Sequence, residues 1–233
     1  MMIEDDFNKQ ALAIWRAHLK EDALMPALYP HGHFKNNLEL LILGMNPAFN
    51  EDAIQKRLSG LGIGMQATDV FRWSPKEEPR YVAELLRAEL DAFANYGTYF
   101  KPLREFADEI GCVHSYSHLD LFHWRHTKQH EFTPFVGSPD NLNEFGRAQI
   151  ALTRVMIERL RPKVVVIANA AAARYAVACM PLEYVAGSRT QCTLPGSTLP
   201  RFFLSGMLSG MRRMDTFSRI RLEVDVRDYL QAL

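Results

Sequence analysis

Apolar positions along this chain follow two rhythms. Residues 5–20, DDFNKQALAIWRAHLK, carry them at helical spacing and predict an amphipathic helix. Residues 38–43, LELLIL, form an apolar run that suits a strand buried on both faces. Further such strands are expected at 113–122, at 163–168 (KVVVIA) and at 201–205 (RFFLS). Helices are expected at 50–58, at 79–95 and at 99–110, the last stopping at Gly111. A further helix over 140–161, capped by Asp140 or Ser138, ends before Pro162. NAAAARYAVACM predicts the next helix, and the last one begins near Asp215 or Thr216. Two tracts, GLGIGMQATDVFRWSPKEEP and HWRHTKQHEFTPFVGSP, read as long irregular loops.

Strands alternating with helices, in the order α-β-α-α-β-α-β-α-β-α, argue for a parallel sheet covered on both faces. We therefore expect an α/β fold, a three-layer α/β/α sandwich around a central four-stranded parallel sheet. The 233 residues suffice for one domain. Ligands of such sheets bind beyond the carboxyl ends of the strands. Four loops should meet there: GMNPAFN, the segment after HLDLF, the segment after VIAN, and LSGMLSG.

Composition narrows the class. No apolar run is long enough to span a bilayer, and the acidic, polar start MMIEDDFNKQ does not read as a secretory signal. Cys112, Cys179 and Cys192 are scattered, which excludes a thiolate cluster or a disulfide framework as an expectation. We expect a cytoplasmic, reduced monomer with no cofactor and no membrane partner. The 27 basic and 27 acidic residues cancel, so no global field pulls the chain toward nucleic acid. A local basic tract, MRRMDTFSRIRL, holds Arg212, Arg213, Arg219 and Arg221. It reads either as a solvated helix face or as an edge that contacts phosphate.

The chemistry concentrates at strand ends. In GMNPAFN, Gly44 accepts dihedrals closed to other residues, and Pro47 fixes its own φ while keeping Asn46 out of the helical region. Asn46 then presents one acceptor and two donors at a rigid turn. It can orient a water but is no strong base. The competing reading is an Asx turn in which Asn46 bonds its own backbone. HLDLFHWRHT gathers His118, Asp120, His123, Arg125 and His126, either a polar pocket lining or a metal site without a recognised ligand spacing. LSGMLSGMRRMDTFSR places Ser205, Gly206, Ser209 and Gly210 after a strand, where backbone amides can hold an anion or merely form a linker. Walker, dinucleotide and nucleophile-elbow patterns are absent.

With these segments in order, the chain resembles the uracil-DNA glycosylase superfamily over residues 35–230, ahead of which lies the helix at 5–20. LLILGMNPAFN looks like the strand and turn of its mismatch-specific and single-strand-selective branches, which carry Gly-Met-Asn-Pro or Gly-Ile-Asn-Pro. RPKVVVIANAAAARY is similar to the family's third strand and small-residue helix. The resemblance implies a single domain over residues 1–233 that hydrolyses the N-glycosidic bond of uracil or a related base flipped out of DNA. It implies that Asn46, framed by Gly44 and Pro47, positions the attacking water. Met45, Ala48, Phe49, Phe71, His118 and Asp120 would surround the base. Ser205, Gly206, Ser209, Gly210, Arg212 and Arg213 would contact DNA phosphates, and no metal is required.

Three departures matter. Ala48 stands where some members keep a bulky tyrosine, which opens the pocket to larger bases. Asp120 is the nearest candidate for the family's base-reading asparagine. The histidine of the last signature has no counterpart in LSGMLSG. Two alternatives therefore stay open: a non-catalytic nucleic-acid or nucleotide-binding module, and a metal-dependent hydrolase built on His118, Asp120 and His123.

Overall fold

The computed structural model describes residues 2–126, 129–210 and 212–233, without the side chains of residues 129 and 130. In chain order the elements are α1 (Ile3–His18), β1 (Ala23–Leu24), β2 (Leu40–Gly44), α2 (Glu51–Gly60), α3 (Ala67–Phe71), β3 (Arg72–Trp73), α4 (Val82–Asn95), α5 (Phe100–Glu109) and β4 (Tyr116–Asp120). There follow α6 (Gln129–Val136), β5 (Gly137–Ser138), β6 (Asn141–Leu142), α7 (Glu144–Leu160), β7 (Val164–Ala168), α8 (Ala170–Cys179), β8 (Glu183–Tyr184), β9 (Gln191–Thr193), β10 (Arg201–Ser205) and α9 (Thr216–Gln231). They group into two compact units. One comprises Phe34–Met45, Asn95–Leu121 and Thr153–Leu233; the other comprises the residues to His33, Asn46–Ala94 and Phe122–Leu152.

The first unit is built on a mixed, mostly parallel sheet of six strands in the order β4-β2-β7-β10-β9-β8. The expectation of four strands is corrected here. The four parallel strands are the expected ones, and β9 and β8 extend the sheet as antiparallel additions beside β10. These two escape a reading based on apolar runs because they are short, QCT and EY, and largely polar. Every residue of β2 and β4 is buried, as are the first four of β7. Each Leu, Ile or Val side chain buried in this way contributes about 1.5–3 kcal/mol. The register places Leu40 between Tyr116 and Val164, and Val164 beside Arg201. At the other end Gly44 lies beside Asp120, and Ala168 beside Ser205, so four carboxyl ends share one edge.

Caps start the helices that leave this edge. The Asn169 side chain accepts from Ala171 N at 2.8 Å and Ala172 N at 3.1 Å, satisfying first-turn amides of α8. Ala172 and Ala176 then bury the helix closely. Asp215 caps α9 by accepting from Ser218 N at 3.0 Å, and Leu222 and Val226 form its inner face.

In the second unit α1 buries Phe7, Ala11 and Trp15. Trp15 stacks on Trp73 at 4.9 Å and donates its indole N–H to Leu24 O at 2.8 Å. The tract expected as one long loop after α2 contains α3 and β3. Gln55, on α2, bonds Met65 O at 3.1 Å and Ala67 N at 2.8 Å, so a side chain distant in sequence supplies the order. The second expected loop contains α6 and β5, whose partner β6 occupies the start of the helix expected over 140–161; its residues 127 and 128 lie outside the described residues. Ser138 belongs to that pair, so α7 starts later than expected. Asn143, rather than Asp140 or Ser138, caps it by accepting from Gly146 N at 2.8 Å. Among the described residues no helix is long and apolar enough to cross a membrane.

Candidate functional site

In the sheet unit, the polar groups of the β2 and β4 ends converge on Gly44. A Cβ built there would collide with an Asp120 carboxylate oxygen. It would also lie 2.9 Å from the Tyr99 hydroxyl and 3.1 Å from His118 Nε2. Glycine is therefore required for space, in addition to any freedom of the turn. His118 and Asp120 alternate onto one face of β4, both buried. His118 Nε2 sits 3.1 Å from the Tyr99 hydroxyl and 3.8 Å from Asp120 Oδ1. The rings of Tyr99 and Phe100 meet the imidazole edge-on at 5.5 and 5.3 Å, which fixes its plane. Burial, and then the charge of Asp120, pushes the Tyr99 phenol well above its ordinary range, so it stays protonated. Met45 continues the strand into the core with 4% exposure.

At the end of β10 the Ser205 hydroxyl donates to Ile167 O at 3.1 Å and to Gly206 O at 3.0 Å, so its proton is engaged by main chain. The following loop is closed, with Met214 N donating to Met207 O at 2.8 Å and Met207 bridging to Arg213. Gly210 takes φ +80°, the left-handed region that favours glycine. Ser209 is buried, while Gly210, Arg212 and Arg213 are exposed. A Cβ at Gly206 would meet only Met214 at 3.6 Å, an ordinary contact. Arg219 is engaged by Glu223 at 2.7 Å.

In the other unit the turn at Asn46 is held by main chain. Asn46 Nδ2 donates to His126 O at 2.8 Å and more weakly to Pro47 O at 3.3 Å. His126 N returns a bond to Pro47 O at 3.0 Å. The carboxamide therefore acts as donor through nitrogen, which differs from an Asx turn; Asn46 is half-buried, and its oxygen accepts no bond among the described residues. Ala48 is exposed and Asn50 caps α2. Phe49 and Phe71 are both buried, their rings 5.9 Å apart. One face of Phe71 carries the Arg125 guanidinium at 5.1 Å from the ring centre, and that guanidinium also pairs with Glu89. Burial raises the Glu89 carboxyl, against the lowering influence of Arg125 and Arg57.

His123 lies in the apolar core of this unit, its ring edge-on to Phe7 at 4.7 Å, and burial lowers its pKa to about 3. Among the described residues no group of three or more His, Cys, Asp or Glu side chains is arranged to hold a metal. Tyr99, Phe100 and the His126 carbonyl were not singled out from sequence. Tyr99 and Phe100 open a segment whose helical pattern masks them, and a carbonyl has no sequence signature. The chain matches no protein-family model and no curated protein.

Proposed function

We propose that the chain is a DNA glycosylase-like hydrolase that cleaves the N-glycosidic bond of uracil or a related base flipped out of DNA. The observation that carries this reading is the Asn46 carboxamide. Its nitrogen is committed to His126 O, which leaves the oxygen to accept from a water. Asn46 thus orients the nucleophile without needing to be a base. The C1′–N bond breaks first, its electron pair leaving with the base, and the water oxygen then bonds C1′ and gives up a proton that the released base anion takes up. Such a departure suits a site that stabilises charge electrostatically.

A second reading, a binding module without catalysis, is favoured by one observation at the last loop. Ser205 spends its proton on main-chain oxygens and no histidine is there to support a leaving base. A gel assay on oligonucleotides carrying uracil, mismatched thymine or hypoxanthine decides between them. The glycosylase reading expects alkali-labile abasic sites, lost in Asn46→Ala. Salt-sensitive binding with no abasic product at high protein concentration selects the module instead.

A further inference from the structure

The outer face of α9 carries three exposed apolar side chains among its polar ones. Phe217 is 84% exposed, and Ile220 and Val224 are 49% and 41% exposed. Phe217, Arg221, Val224, Asp228 and Gln231 share one stripe at spacings of four, three, four and three residues, with the apolar Phe217 and Val224 interleaved with charged and polar side chains. Leu222 and Val226 already face inward, so this stripe is additional to the fold's own core. No ion pair engages Arg221 or Asp228 among the described residues, in contrast to Arg219 and Glu223.

We infer that this stripe is the interface of a symmetric antiparallel dimer formed with a second copy of the chain. The charges select both the occupant and the direction. Arg221 and Asp228 are seven residues apart on one stripe, so the point halfway between them falls between Val224 and Asp225, about one residue from the centre of α9. A two-fold axis at that midpoint therefore sets Arg221 of each copy opposite Asp228 of the other, twice. The same axis brings the two Val224 side chains close together and sets each Phe217 against the C-terminal end of the partner helix, at Ala232. A parallel pairing would set Arg221 against Arg221 and Asp228 against Asp228. Antiparallel helices also align opposite dipole ends, with the exposed Arg212 and Arg213 near the negative end of the facing helix. A phosphate backbone gains little from a stripe whose arginine and aspartate cancel. One pair of four-turn helices is smaller than a standard interface, so the dimer is weak, with Kd on the order of 10–100 µM.

Sedimentation of the full chain across this concentration range tests the inference. The expected result is a mass rising from one to two chains. Phe217→Ser, Arg221→Asp and Asp228→Arg each weaken association by about tenfold or more, and the Arg221→Asp/Asp228→Arg double swap restores it. All these positions are exposed, and circular dichroism verifies that each variant is folded. Three results overturn the proposal: one chain at every concentration, a dimer indifferent to the charge variants, or folded single swaps that the double swap does not rescue. A monomer whose binding to a duplex oligonucleotide falls with Phe217→Ser also overturns it, and assigns the face to nucleic acid.

Discussion

An Asp120 carboxylate oxygen occupies the space where residue 44 would carry its Cβ. The two residues lie side by side in the register of β2 and β4, so neither can move away without disturbing the sheet. Gly44→Ala is therefore an overpacking substitution and should cost about 1–3 kcal/mol in urea unfolding. Asp120→Ala in the same chain removes the colliding oxygen and should return part of that loss. Equal, additive losses in the double variant would show that the collision is relieved elsewhere.

Asn46→Ala removes one hydrogen bond to a main-chain oxygen, so stability should change by only about 1 kcal/mol. Cleavage of a uracil-bearing oligonucleotide should fall about 100- to 1,000-fold, in line with the loss of one preorganised polar group at a reacting centre. Single-turnover rates measured beside thermal melts separate the two effects. A variant that cleaves at the parental rate removes Asn46 from the mechanism.

His123 gives the chain a pH-dependent stability. Its folded pKa is about 3, against 6.5 for an ordinary histidine, because burial disfavours the cation. Between these values the unfolded chain binds more protons, so the contribution is complete above pH 6.5 and is lost as pH falls toward 3. From pH 6.5 to 5 the loss should be about 2 kcal/mol. Urea midpoints in His123→Phe should lose this part of the slope. An unchanged slope would locate the acid sensitivity in other groups.

Arg125 lies buried over Phe71 and pairs with Glu89. Removing one member of a buried pair leaves the other uncompensated, at a cost of about 3–5 kcal/mol. Arg125→Met should show this loss, and Glu89→Gln on top of it should recover a part, because the amide no longer carries the stranded charge. A double-mutant cycle in urea reads the coupling directly; a coupling near zero would make the pair incidental.

The parts of the fold that could be read from sequence are those with local causes. LELLIL and KVVVIA announce buried strands because both faces of β2 and β7 are covered, so the run needs no alternation. Asp215 announces α9 by the rule of capping side chains. By contrast, β8 and β9 exist through pairing with β10, α3 is organised by Gln55 on another helix, and Asn143 rather than Asp140 starts α7. The candidate chemistry divides in the same way. Gly44, Asn46, His118 and Asp120 stand at strand ends and turn positions that a sequence shows. Tyr99, which fixes His118, lies nineteen residues away in a helical pattern, and nothing local distinguishes its hydroxyl from that of any surface tyrosine.

The hold on Asn46 also bears on how the chain can diverge. Its partner at position 126 is a carbonyl oxygen, which every amino acid supplies. The bond to Asn46 therefore places no demand on the side chain at 126, whose ring meets Trp124, Phe132 and Phe135 for its own packing. Proline is the exception, since residue 126 must also return its N–H to Pro47. In any diverged copy of this chain, the hold on Asn46 therefore excludes only proline at position 126, and any further restriction there comes from the ring contacts with Trp124, Phe132 and Phe135.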